Sequence, residues 1–254
     1  MLRRLMRAAW TWSVGALLLA CATSAGAVVV GQIDTFEDNT SMGWFFGGGP
    51  GGVPPTPWAN IPTGGPAGTL DNFLQITATG GVGVLSRLSA LNVAQWSGNY
   101  PGAGVGAIRM NVNNFGPDAL DLRLFFEDLS PGFGPPVNQA LSANAIHVPA
   151  LSGWTSVVFP ITAADLVPVL GTVTDALMNT DLLRIIHDPL NTVPPPPTGL
   201  PTVTAVLGVD NIQAVNPVVE PGPLSLLLSA FAGLLIVFRG RTRDAVAAAA
   251  FGAI

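Results

Sequence analysis

Short runs of apolar and polar residues alternate along most of this chain and set its expected fold. In residues 120–127, Leu120, Leu122, Leu124 and Phe126 fall on one face, with Asp121, Arg123 and Glu127 on the other. That period of two predicts a strand buried on one side only. Further β-like runs fall at 32–36, 43–46, 73–78, 83–91, 105–113, 143–148, 155–161, 182–187 and 205–215, each bounded by turn formers. Only 162–170 and 175–178 read as helical, and both are short. Residues 47–57 and the proline run 194–197 cannot hold a regular ladder and are expected as solvated loops. Strands joined by Gly- and Pro-rich connections, with almost no helix, predict an all-β fold. We expect an antiparallel β-sandwich formed by residues 28–215 as one domain.

The two ends break this pattern. The chain opens Met1-Leu-Arg-Arg-Leu-Met-Arg, continues through an apolar centre at 8–22, and reaches Ala25-Gly26-Ala27. A basic start, an apolar middle and an Ala-x-Ala close predict a signal peptide over 1–27. The competing feature is Leu18-Leu19-Ala20-Cys21, which loosely resembles a lipoprotein cleavage box. At the other end, residues 224–238 carry no charge, and Arg239, Arg241 and Arg243 follow at once. This predicts a single transmembrane helix over 224–238, with the Arg-rich tail 239–254 in the cytoplasm and everything before the span outside. The other reading of 224–238 is a buried core helix. Residues 216–223, with the Glu220–Pro221 pair, are expected as an extended linker to the span.

Charge narrows the partners. Between residues 28 and 223 four arginines face fourteen carboxylates, a net charge of −10, and the chain has no lysine. Such a surface repels phosphate backbones and excludes nucleic acid, while it suits divalent cations or neutral partners. Cys21 is the only cysteine and lies within the signal peptide, so the mature protein has no disulfide, thiol nucleophile or thiolate metal site.

Three stretches resemble known families. Val218-Val219-Glu220-Pro221, the short span and the terminal arginines resemble the PEP-CTERM sorting signal of Gram-negative envelope proteins, with Val219 where the family carries a first proline. The resemblance implies recognition of Glu220 and Pro221 by an exosortase-type membrane transpeptidase. It also implies an inner-membrane precursor, later released to the cell surface or extracellular matrix. Asp34-Thr-Phe-Glu37-Asp38 with Gly43-Trp44, together with Val209-Asp210-Asn211-Ile212, is similar to jelly-roll carbohydrate-binding modules. That resemblance implies a jelly-roll-like sandwich and a structural calcium held by Glu37, Asp210 and Asp34; the alternative is solvated carboxylates at strand ends. The stretch Gln95-Trp96-Ser-Gly-Asn99-Tyr100 resembles one recurring in uncharacterised PEP-CTERM proteins. An exposed indole or phenol beside amides is what a sugar ring stacks on, which makes Gln95, Trp96, Asn99 and Tyr100 candidates for binding extracellular polysaccharide. Trp96 fits a core position equally well. Trp44 and Trp154 are expected in the core, and Trp58 suits either place.

Signs of catalysis are few. There is no nucleophile elbow, no zinc-protease helix motif and no phosphate loop. His147 and His187 lie on different predicted strands without ligand-spaced partners. Glu127-Asp128 could pair with a distant acid as a glycosidase dyad; the other reading is solvated carboxylates at a strand end. The expectation is a non-catalytic surface or matrix protein that associates with polysaccharide. Its rivals are a polysaccharide-active enzyme and a permanently anchored envelope protein with no ligand.

Overall fold

The computed structural model describes residues 27–46, 58–81, 86–190 and 200–216. Within them the chain forms β1 (Ile33–Asp34), β2 (Trp44–Phe46), β3 (Trp58–Ile61), β4 (Phe73–Thr79), β5 (Ser89–Asn92) and β6 (Ala107–Asn114). It continues with β7 (Leu120–Leu129), β8 (Pro136–Ser142), β9 (Ile146–Val148), β10 (Thr155–Pro160) and β11 (Leu166–Leu170). The short helix α1 (Val173–Met178) precedes β12 (Leu182–His187) and β13 (Thr204–Val215). All pairs among these strands are antiparallel. One sheet has the order β10-β6-β13-β4-β3, with β1 pairing farther along β13; the other runs β11-β8-β7-β12-β5-β2, with β9 beside the start of β7. This is the expected all-β antiparallel sandwich.

The core lies between the sheets and follows from period-two alternation. From the first sheet come Ile108, Met110 and Val112 of β6 and Ala205, Leu207 and Val209 of β13. They meet Leu120, Leu122, Leu124 and Phe126 of β7 and Leu183 and Ile185 of β12.

Several strand expectations need correction. Strand β7 is buried on both faces, because Phe125 joins Leu141, Ile186 and Leu200 in a second apolar cluster on the outer side of the seven-stranded sheet. Residues 166–170, expected as helix, are the edge strand β11; Pro168 sits where its ladder with β8 shifts register. A bulged edge is where a sheet tolerates proline. Strands β3 and β8 fall in stretches without a strong alternating pattern, and β5 covers only the end of the expected 83–91 run. The helical expectation at 175–178 corresponds to α1, whose first turn is capped by Thr172 accepting from the Asp175 N–H.

The loops expected at 47–57 and 194–197, the segments 1–26 and 224–238, and the Glu220–Pro221 pair lie outside the described residues. Among the described residues no helix is long and apolar enough to cross a membrane.

Candidate functional site

The Trp96 stretch occupies the interior. Trp96 and Tyr100 are both 0% exposed, so neither ring is open to a sugar, which corrects their expected role as a stacking platform. The reason lies in Asp34. Its Oδ2 accepts from the indole Nε1 of Trp44 and of Trp96, each at 2.7 Å, and from Gln95 Nε2 at 3.1 Å. Tyr100 Oη donates to the Trp96 carbonyl at 2.8 Å and its ring stands edge-on to Phe126. Each indole thus has a hydrogen-bond partner indoors, which is what lets a large amphipathic ring be fully buried. Gln95 is half-buried with its amide on Asp34 and the Met42 carbonyl. Asn99 is exposed, and its Oδ1 accepts from the Gly102 N–H.

Asp34 therefore does not fit the cation role expected of it. Burial raises its pKa, and the hydrogen bonds from Trp96, Trp44 and Gln95 pull it back down. Its carboxylate serves as an acceptor that ties β1 to β2 and to the Trp96 segment.

Asp210 has a different environment. Strand β4 pairs with β13 up to Val209, and β1 takes over at Ile212. Asp210 and Asn211 fill the gap, at a bulge in the β13–β6 ladder where Asn211 adopts φ 51°. Val209 points into the core, so the Asp210 side chain lies on the outer face of the sheet. It is 1% exposed; Oδ2 accepts from Asn211 Nδ2, while Oδ1 is buried without a partner. Burial, with the like charges of Asp71 and Glu37 nearby, pushes its pKa up to about 7. Glu37 Oε1 accepts from the Asn72 N–H, and Asp71 Oδ2 from the Ala67 N–H. A second buried acceptor without a partner, Asn113 Oδ1, lies on the same face, one row along β6 from Asn111, which faces Asp210.

A hard cation is drawn to such unpaired oxygens. Glu37 and Asp71 lie near Asp210, and the unpartnered Asn113 Oδ1 is on the same sheet face. Among the described residues, however, no three acidic, His or Cys side chains are already spaced as metal ligands. Asp71 and Asn113 escape a sequence reading because their nearness to Asp210 depends on how distant segments pair, not on any local motif.

Trp154 is not in the core. It is half-buried on the outer face of the six-stranded sheet, with its Nε1 donating to the Gly64 carbonyl at 2.9 Å. Its ring stands edge-on to Phe73 and to Phe115, with centroids 5.3 and 6.0 Å away, and Phe115 is 40% exposed. All three rings lie over Gly208. A Cβ there would come within 2.8 Å of both Phe115 and Trp154. Glycine in the middle of β13 thus permits an aromatic patch on an outer sheet face. Trp44, by contrast, is buried in the core as expected.

The candidate acids Glu127 and Asp128 face opposite sides of β7. Glu127 faces the outer side of the seven-stranded sheet, 3% exposed, where it is ion-paired with Arg184 Nε and accepts from Gln139 Nε2 at 2.9 Å. Asp128 points the opposite way and accepts from Asn138 Nδ2 at 2.7 Å. The histidines have structural partners: His187 Nδ1 accepts from the Asp121 N–H, and His147 Nδ1 lies 2.9 Å from Asp121 Oδ1.

These features define an antiparallel two-sheet β-sandwich with an outer aromatic patch and a buried, unpaired carboxylate. The sequence matches no protein-family model and no curated protein. Among solved structures, the chain resembles the family 11 carbohydrate-binding module from Clostridium thermocellum in complex with a β-1,3-1,4-mixed-linked tetrasaccharide. That match has a TM-score of 0.46 at 14% identity, covering 75% of this chain and 98% of the module. It also resembles CBM28, a module specific for non-crystalline cellulose, with a TM-score of 0.43 at 11% identity over 76% of this chain and 97% of the other. An exo-β-agarase matches with a TM-score of 0.47 at 12% identity over 76% of this chain, but only 26% of the agarase is covered. At these identities the likeness is one of sandwich architecture.

Proposed function

We propose that this is an exported, non-catalytic surface or matrix protein that associates with extracellular polysaccharide. The observation that carries the reading is the partly exposed Phe115–Trp154 pair, packed over buried Phe73 and Gly208 on an outer sheet face. Aromatic faces beside polar groups bind the C–H faces of sugar rings, and half-buried Gln75 flanks Gly208 on the neighbouring strand β4. In this proposal the patch replaces the buried Trp96 and Tyr100 as the stacking surface.

Delivery rests on the sequence. The signal peptide would export the chain, and the 224–238 span would hold it in the inner membrane. An exosortase-type transpeptidase would then act near Glu220–Pro221. We also propose a structural calcium at Asp210 and Glu37, with Asp71 and Asn113 supplying further oxygens; the unpaired Asp210 Oδ1 supports it. The ion would neutralise the carboxylates and join the ends of β1, β4 and β13.

The test is affinity electrophoresis of the protein through gels containing the producing cell's exopolysaccharide. Retardation that drops on Trp154→Ala and Phe115→Ala supports the reading, and equal mobility with and without polysaccharide refutes it.

A further inference from the structure

The segment from Trp96 to Tyr100 buries its two rings and turns its small polar residues outward. It forms one wall of an open cleft of about 560 Å3 at the end of the sandwich where β7 finishes, lined among others by Ser97, Gly98, Asp128, Ser130, Asn179 and Asp181. We propose that this cleft is an oligosaccharide subsite that takes neutral, hydroxyl-rich sugars and disfavours uronates. The inference rests on the polysaccharide reading and adds to it a second site and a substrate class.

The wall is rigid. Ser97 O accepts from the Val28 N–H, and the Gly98 N–H donates to Thr180 O, each at 2.7 Å; the Tyr100 N–H donates to Leu177 O at 3.0 Å. Gly98 adopts φ 123°, and a Cβ there would lie 3.2 Å from the Ala27 backbone. Trp96 and Tyr100 are the anchors that hold this turn against the far wall, so they act as positioning residues. The pre-set rim lowers the ordering cost of binding.

The chemistry of the cleft favours hydroxyl donors. Asp128 is 9% exposed and its Oδ2 is taken by Asn138, while Asp181 Oδ2 is taken by the Leu129 N–H at 2.8 Å. Among the described residues, neither Oδ1 receives a hydrogen bond and the Asn179 side-chain amide makes none. A buried carboxylate with a free oxygen at a cleft wall is a strong acceptor for a sugar hydroxyl, and an amide beside it both donates and accepts. No arginine or histidine among the described residues lines the cleft, so a uronate carboxylate would meet two like charges without compensation. A bare cation fits less well. The space is many times that of a single water, about 30 Å3, and falls in the range of small-ligand sites.

The test uses the full chain and the producing cell's exopolysaccharide, split by anion exchange into neutral and acidic fractions. The expected result is retention by the neutral fraction, weakened about ten-fold or more by Asp181→Asn and by Asn179→Ala, as for loss of a charge-assisted or amide hydrogen bond. Asn179 is exposed, so its variant keeps the proposal testable if Asp181→Asn fails to fold. Retention by either fraction that is unchanged in both variants, or a preference for the acidic one, overturns this inference and leaves the polysaccharide reading standing. Retention by neither fraction overturns the reading itself. A calcium site detected by calorimetry and lost in Asp181→Asn would overturn the sugar assignment and give the cleft to a cation.

Discussion

Replacing Asp210 by asparagine should stabilise the calcium-free protein above neutral pH. The carboxylate has a folded pKa of about 7 against an ordinary value of 3.8. A raised carboxylate pKa means that the folded state binds the proton more tightly than the unfolded state does. Its contribution is thus fully present below about pH 4 and is lost as pH climbs through about 7. At about 1.4 kcal/mol per pKa unit, the loss has an upper bound of roughly 4 kcal/mol, which solvent screening at the sheet face reduces. For a domain of this size that bound corresponds to a melting shift on the order of 8–16 °C. The variant amide keeps an oxygen for Asn211 and carries no charge beside Asp71 and Glu37. Thermal melts followed by near-ultraviolet circular dichroism, in chelator at pH 4.5 and pH 8, read the difference directly. Wild type should lose stability between the two conditions, and Asp210→Asn should lose much less. Calcium at pH 8 should raise the wild-type melting temperature and leave the variant nearly unmoved, since only a ligand bound to the folded state stabilises it. An Asp210→Asn protein less stable than wild type at pH 8 in chelator would refute the reasoning, because the carboxylate would then have a favourable partner.

Asp34→Ala should cost about 2–6 kcal/mol, since two buried indole N–H groups lose their acceptor at 1–3 kcal/mol each. Asp34→Asn, which keeps one oxygen for both indoles, should cost far less; urea melts of the two variants compare them. Glu127→Ala should destabilise by about 3–5 kcal/mol by stranding buried Arg184, whose Nη1 already lacks a partner. An equal loss from a surface control such as Asp38→Ala would undercut that estimate. Gly208→Ala should push Phe115 and Trp154 off the sheet, visible as a change in tryptophan emission with weakened polysaccharide retention.

Much of the sandwich was legible because its central strands are apolar β-like runs bounded by turn formers: the 120–127, 182–187 and 205–215 runs match β7, β12 and β13 within a few residues. The edges were not. Pro136-Val-Asn-Gln-Ala-Leu-Ser142 in β8 carries amides on both faces, Gln139 against Glu127 and Asn138 against Asp128, and β11 contains a proline; both depend on a neighbouring strand for their conformation. The two-sided burial of β7 was hidden for a related reason. Arg123 and Glu127 look like solvent-facing charges until Ser142 O, Asp188 O and Arg184 are brought to them by other segments.

At the candidate sites, the residue types were visible and their surroundings were not. Trp96 and Trp154 both lie beside small polar residues, yet one finds Asp34 in the interior and the other finds Gly64 at the surface. A tryptophan's placement depends on which distant acceptor meets its N–H, and no local spacing encodes that. Asp34 and Glu37 share one motif stretch, yet Asp34 turns inward to two indoles while Glu37 accepts from Asn72 near Asp210, a division no local spacing shows.

Association with polysaccharide is proposed to run through the Phe115–Trp154 pair on the outer sheet face. The most direct measurement is retardation of wild type and Trp154→Ala in gels cast with the producing cell's exopolysaccharide, with melting curves to show that the variant is folded. Wild type should be clearly retarded, and the variant several-fold less so. A folded wild-type protein that migrates identically with and without polysaccharide would contradict it.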